Sequence, residues 1–363
     1  MPNVDVLGVL HAYDLSVPAS LDAQADLKND ANAVEISDSE TDIPRINKPE
    51  TVVFIHGWLL SRAYWQPLIA ELPNCQCLTY DMRGFGQSEG DSAQTADSPR
   101  TIPLPGNLDW SPSEPPYTND GFSLAAYAQD LEALLDALNL DDVWLMGHSL
   151  GGSVALWAAY LFPERVKGVI CLNAGGGIYI PKEFEKFRGA GQQMVKYRPQ
   201  WLTKLPILPR VFTKAMVHKT LALKWGKQRL QDFICADRAA AEGALLASTT
   251  QEEVLQLPQL MGALKQPVHF ITATQDSIMP PRYVNYLASF HRDFRKNSLR
   301  GMVSEIADCG HMAMVEQPEA VAAIVIRFMS AQSDSSADLG CFDSNADSRV
   351  ATQSPSVSPL MTL

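Results

Sequence analysis

An apolar run, Val143-Trp144-Leu145-Met146, passes through Gly147-His148-Ser149-Leu150-Gly151 straight into a helical stretch, Leu150 to Tyr160. No other segment restricts the fold as tightly. A chain can change from strand to helix in so few residues only through a sharp turn, and small residues two before and two after Ser149 let the backbone make that bend. Such a turn projects the Ser149 hydroxyl outward and directs the N-terminal amides of the following helix toward it. The positive end of that helix favours an oxyanion at the same spot. The bland alternative is an unreactive serine capping a buried helix.

Around this turn, short β-branched or apolar runs alternate with longer helical stretches, the pattern of a mostly parallel sheet flanked by helices. Strands are expected at Thr51 to Ile55, Gln76 to Tyr80, Val143 to Met146, Val166 to Leu172, Val268 to Ala273 and Met302 to Ile306, with an earlier one inside Val6 to Leu15. Several are apolar almost throughout, as strands covered on both faces should be. Helices are expected at Ala63 to Leu72, Leu124 to Leu138, Leu150 to Tyr160, Arg282 to Phe290 and Pro318 to Met329. The fold class is therefore α/β.

Three segments interrupt the alternation. Gln87 to Asp120, rich in Ser, Pro, Gly and Asp, reads as a polar surface insertion, and Ala331 to Leu363 as a disordered tail with too little apolar surface to offset ordering entropy. Ile178 to Gln266 carries Trp201, Phe212, Trp225, Leu230 and Phe233 and reads as a helical cap over the strand ends. The core is then expected in residues 1–177 and 267–330. A polar, acidic stretch from Ser20 to Glu50 reads as a long turn or linker.

The formal net charge of -12 argues against general nucleic-acid affinity, which depends on neutralising phosphates with Lys and Arg. The charge is unevenly placed: between Lys186 and Gln231 stand eleven basic residues and no Asp or Glu. No apolar run approaches the roughly 18 residues of a spanning helix, and the N-terminus lacks a secretory pattern. The 6 cysteines show neither zinc-ribbon spacing nor disulfide-scaffold density. A reducing, cytoplasmic location is expected.

Gly147-His148-Ser149-Leu150-Gly151-Gly152, with His56-Gly57-Trp58 earlier and Gly310-His311 later, resembles the α/β-hydrolase superfamily over about Thr51 to Met329. The resemblance implies the α/β-hydrolase fold, with a helical cap inserted after the fourth central strand. It also implies a serine nucleophile, a histidine base near the chain's end and an acid between them that orients the imidazole. Among 7 histidines, His311 follows an expected strand in Asp308-Cys309-Gly310-His311 and precedes a helix, which places it on a loop at the strand ends. His269 lies inside a strand, His291 ends a helix, and His11 and His218 have no motif around them. Asp276 closes the strand ending in Ala273 and is followed shortly by Pro280, where family members carry the acid; it could instead cap the next helix. Asp308 competes, but stands only three residues before His311.

Two oxyanion donors are expected, the backbone amides of Leu150 and, by resemblance to the family's HG-x pattern, Trp58. The side chains of His148 and Trp58 either line the substrate pocket or simply pack. The loop Asp81 to Ser88 also resembles a family segment; its glycines do not match dinucleotide-binding spacing, so it reads as structural.

A serine at position 149 argues against the family's haloalkane dehalogenases and epoxide hydrolases, which use aspartate there. The resemblance thus implies a serine esterase acting on a hydrophobic carboxylic ester through an acyl-enzyme, with no metal or organic cofactor. A thioesterase, a C–C bond hydrolase or a cofactor-free perhydrolase would use the same three residues, and a non-catalytic ligand-binding protein on this scaffold is the alternative of another class. For the basic cap three readings stand: a solvated lid, peripheral attraction to an anionic membrane, or an anionic carrier such as an acyl-thioester of coenzyme A or a carrier protein. The stretch Leu172 to Leu202 further resembles cap entries of hydrolases from photosynthetic bacteria and plastids, which would make lipidic esters, including prenyl or phytyl esters, the substrates.

Overall fold

The computed structural model describes residues 2–18, 49–90, 121–177, 181–294 and 299–339. Among the described residues, eight strands form one sheet: β1 Asn3–Val6, β2 Val9–Leu15, β3 Thr51–Ile55, β4 Gln76–Tyr80, β5 Val143–His148, β6 Val166–Leu172, β7 Val268–Ala273 and β8 Val303–Ile306. Their spatial order is β1-β2-β4-β3-β5-β6-β7-β8. From β4 onward every pairing is parallel, and only the amino-terminal strands β1 and β2 run against their neighbours. The expected single strand within Val6 to Leu15 is thus part of a hairpin, turned at Leu7-Gly8, both of which take positive φ.

The helices are α1 Gln66–Ala70, α2 Leu124–Ala137, α3 Leu150–Leu161, α4 Pro181–Lys196, α5 Leu208–Phe212, α6 Leu223–Cys235, α7 Arg238–Ser248, α8 Gln251–Ala263, α9 Pro281–Ala288, α10 Leu299–Met302, α11 Ala313–Glu316 and α12 Pro318–Leu339. Successive residues of a strand point to opposite faces, so both faces of β3 are apolar: Val53 and Ile55 enter one core with α2, α3 and α9, while Val52 and Phe54 enter the other with Leu68 of α1 and Val321 and Val325 of α12. All five β3 residues are buried, which accounts for a strand without polar alternation.

Helices α4 to α8 lie between β6 and β7 in the chain, in the segment read as a cap. Two expectations need revision. The expected tail begins inside a helix, because α12 continues from the packed Val321–Met329 stretch to Leu339: extending an existing helix costs far less than nucleating one. The start of the polar insertion, Gln87 to Gly90, is tied down, with the Ser88 hydroxyl donating to the Asp81 carbonyl and the Gln87 amide to the Asp81 carboxylate. The rest of that insertion, the acidic stretch 19–48 and residues 340–363 lie outside the described residues. Among the described residues, no helix is long and apolar enough to cross a membrane.

β3 is flanked by β4 on one side and β5 on the other, so successive crossovers leave it in opposite directions. A crevice opens at the carboxyl ends of strands where the connection order reverses, and ligands of open α/β sheets bind there. The loops after β3, β5, β7 and β8 all end at this edge.

Candidate active site

Ser149 sits at the end of β5 with φ 53 and ψ -120, a conformation non-glycine residues avoid. Such strain costs about 1–3 kcal/mol and persists only where the surroundings enforce it. Here the enforcement is steric. A Cβ on Gly151 would lie 2.3 Å from the Ile55 carbonyl oxygen, and one on Gly147 would lie 2.2 Å from that of Gly151, so only glycine lets α3 turn back tightly beside β3. The Ser149 amide donates to the Leu172 carbonyl at 3.1 Å, anchoring the turn to β6. Leu150 opens α3, so its amide has no acceptor within the helix.

Asp276 and His311 come from the loops after β7 and β8. Asp276 Oδ2 accepts from His311 Nδ1 at 2.7 Å, with both side chains buried. Asp276 Oδ1 accepts from the amides of Ile278 and Met279 at 2.8 and 2.9 Å. Burial pushes the Asp276 carboxyl up, but the His311 ring and the two amides outweigh it, and the group lies below its ordinary range. An ionised carboxylate on Nδ1 leaves His311 Nε2 as the nitrogen that can take a proton. Asp276 does not cap α9, whose N-cap is Pro280.

The other titratable candidates sit elsewhere. His269 Nε2 meets the Ser304 hydroxyl at 3.0 Å, His291 Nε2 donates to the Gln266 carbonyl at 3.2 Å, and His11 Nδ1 donates to the Val9 carbonyl at 3.1 Å. His218 is exposed, and Asp308 is an exposed loop residue with φ 52. His148 was one of two residues expected to line the pocket or pack, and it packs. It is fully buried, its ring lies 4.7 Å from that of His311, and its Nε2 donates to the His311 carbonyl at 2.8 Å. As the last residue of β5 it stays within the sheet instead of turning out with Ser149. Burial, reinforced by the neighbouring His311, drives its pKa down to about 3, so it is neutral at ordinary pH.

Trp58 lines the pocket, and its indole Nε1 donates to the Ala241 carbonyl of α7 at 2.8 Å. The loop carrying its amide is fixed by His56, whose Nδ1 donates to the Gly57 carbonyl at 2.8 Å while Nε2 accepts from the Met82 amide at 3.0 Å. A Cβ on Gly57 would lie 3.2 Å from the Ser149 Cβ, so the backbone leading to Trp58 runs directly beside the serine. The Asp81 to Ser88 loop is structural: its Gly84 carbonyl accepts from the Asp237 amide at the start of α7, at 2.7 Å.

Two residues not read from the sequence hold the histidine loop. Buried Asn173, after β6, donates through Nδ2 to the Gly310 and His311 carbonyls at 3.1 and 2.9 Å and accepts from the Ala273 amide at 2.9 Å. Glu316 of α11 accepts from the Gly310 amide at 3.0 Å and, with its other oxygen, from His218 and Lys219 at 2.9 and 3.0 Å. The segment 216–219 is thereby stapled to the histidine loop, where the Met216 carbonyl also accepts from the His311 amide at 2.9 Å. The asparagine that ends β6 in Leu172-Asn173 was a readable polar break; nothing local marks Glu316.

A cavity of about 90 Å³ adjoins Ser149 and Leu150, walled by Trp58, Phe187 of α4, Leu245 of α7, Val254 of α8 and Met279. Among the described residues, no charged side chain lines it. Among the described residues, no group of three or more His, Cys, Asp or Glu side chains converges as a metal site.

Residues 50–318 match the family model described as alpha/beta hydrolase fold. An uncharacterized protein of Mycobacterium tuberculosis is 28% identical over 289 residues, covering 77% of this chain and 74% of its own. A pimeloyl-[acyl-carrier protein] methyl ester esterase of Shewanella oneidensis is 24% identical over 255 residues, covering 69% and 83%. Among solved structures, a thermophilic esterase from Thermogutta terrifontis superposes with a TM-score of 0.60 at 19% identity, covering 92% of this chain and 99% of its own. The strand order, the strained serine after β5 and the match over most of the chain place this protein in the alpha/beta hydrolase fold family.

Proposed function

We propose that the protein is a serine hydrolase that cleaves a carboxylic ester through an acyl-enzyme on Ser149. His311 Nε2 takes the Ser149 proton as Oγ bonds to the ester carbonyl carbon, and the tetrahedral oxyanion is held by the Leu150 and Trp58 amides. Collapse expels the alcohol, which receives that proton from His311. Water, deprotonated by the same nitrogen, then releases the acid and restores the hydroxyl. Asp276 keeps the imidazole in the required tautomer and stabilises its cation.

The observation that carries this reading is the buried 2.7 Å contact of Asp276 with His311, at the same sheet edge as the strained Ser149. Esterases among the relatives and fold neighbours agree with it. The uncharged, largely apolar lining of the cavity supports an uncharged acyl group.

The test is labelling with a fluorophosphonate, followed by hydrolysis of p-nitrophenyl esters of increasing acyl length beside acyl-thioesters. Labelling abolished by Ser149→Ala and faster turnover of oxygen esters than of acyl-thioesters are expected. A wild-type chain that never labels would favour a binding module, and turnover of thioesters alone would replace the ester with a thioester.

A further inference from the structure

The eleven basic residues between Lys186 and Gln231 divide by what they touch. Three are occupied internally: Arg188 donates to the Leu246 carbonyl at 3.4 Å, Arg198 to the Phe233 and Asp237 carbonyls at 2.6 and 3.2 Å, and buried Arg229 to the Phe212 carbonyl at 3.1 Å. These hold the cap together. The other eight, Lys186, Lys196, Lys204, Arg210, Lys214, Lys219, Lys224 and Lys227, are exposed, and among the described residues none is ion-paired with a carboxylate.

The same segment exposes large apolar side chains that a solvated lid has no need to show. Trp201 and Ile207 are each 57% exposed and Val211 is 53% exposed, with Leu205 and Leu223 also outward. Leu205, Pro206, Pro209 and Leu223 share one surface groove with Lys204, Arg210 and Lys227. Isolated exposed apolar residues need no explanation, but a cluster rimmed by one sign of charge marks an interaction surface. The charge is opposite to that of the molecule as a whole, whose net charge is -12.

We propose that the face built by residues 197–227 docks on an anionic lipid surface. Lysines and arginines would meet the headgroup phosphates while Trp201, Ile207 and Val211 enter the boundary between headgroups and acyl chains, where tryptophan and branched apolar side chains gain most. An acidic protein partner would satisfy the charges equally well. The lipid reading is favoured because Trp201, Ile207 and Val211 stand exposed outside the groove of Leu205, Pro206, Pro209 and Leu223, so the apolar surface extends beyond any single recess that a protein's side chain would fill. The inference is independent of the acyl-enzyme reading.

The test is co-sedimentation of the full chain with phosphatidylcholine vesicles, with or without phosphatidylserine, at low and high salt. Binding to anionic vesicles should exceed binding to neutral ones and be released by salt, with each removed charge lowering the affinity about fivefold. The double variant Trp201→Ala/Ile207→Ala, which retains every charge, should bind more weakly to anionic vesicles while hydrolysing a water-soluble ester as the wild type does. The charge variant Lys204→Gln/Arg210→Gln/Lys214→Gln should lose the preference for anionic lipid. Equal partitioning onto neutral and anionic vesicles, or no vesicle binding at all, would overturn the proposal. So would vesicle binding unaffected by both variants; salt-sensitive capture by an acidic carrier protein without vesicle binding would point to the protein partner.

Discussion

Ser149 combines a strained backbone with a position at the amino end of α3, and a change there should separate chemistry from folding. Ser149→Ala relieves no steric conflict and removes only the hydroxyl, so the variant should fold and lose ester turnover, by about 10⁶-fold if the three residues act as a unit. Asp276→Asn should lower kcat about 10⁴-fold, because an amide in place of the carboxylate no longer fixes the His311 tautomer. Steady-state kinetics with a p-nitrophenyl ester checks both. The two buried carboxyls have opposite linkage. The folded-state pKa of Asp276 is depressed, so its contribution to stability is present above the unfolded value and lost as pH falls through the folded one. Asp232 of α6 accepts from the Ser61 hydroxyl at 2.9 Å, yet burial raises its pKa from 3.8 to about 6, so ionising it costs stability as pH rises from about 4 to about 6. Asp232→Asn should therefore be more stable than wild type at pH 7, by up to about 3 kcal/mol, and show no such gain near pH 4 in denaturant titrations.

At the scale of elements, hydrogen bonds join the segment between β6 and β7 to the loops at the strand ends, and these are where coupling can be measured. Glu316→Ala removes a carboxylate shared by Gly310, His218 and Lys219, and should cost about 1–3 kcal/mol in urea unfolding, with faster amide exchange at residues 216–219. Leu245 of α7 walls the cavity and is almost fully buried. Leu245→Ala should shift the acyl-length preference toward longer chains, at a stability cost of about 2–5 kcal/mol. A panel of p-nitrophenyl esters reads the first effect, thermal unfolding the second. Strands were legible in the sequence because burial on both faces writes itself as continuous apolar runs: β3, β4, β6 and β7 begin and end where the pattern does. The β1–β2 hairpin was read as a single strand because its turn, Leu7-Gly8, is flanked by apolar residues, without the usual polar turn signal. The end of α12 was missed because a helix continued from a packed segment needs no apolar surface of its own.

For the molecule as a whole, the sequence determined the α/β class, the place of the sharp turn at Ser149 and the chain order of Ser149, Asp276 and His311. Each of these rests on local chemistry: small residues around a sharp turn, apolar periodicity, and loop residues placed at strand ends. Only the tertiary structure decided that Asp276 and not Asp308 meets His311, since that pairing depends on β7 and β8 lying side by side in the sheet. It also decided that His148 braces the histidine loop from within the core while Trp58 faces the cavity. The division of the basic residues between Lys186 and Gln231 into three that bond backbone carbonyls and eight that face outward was likewise invisible in the chain, because a charged side chain's partner is set by which elements fold against it, and sequence spacing carries no record of that.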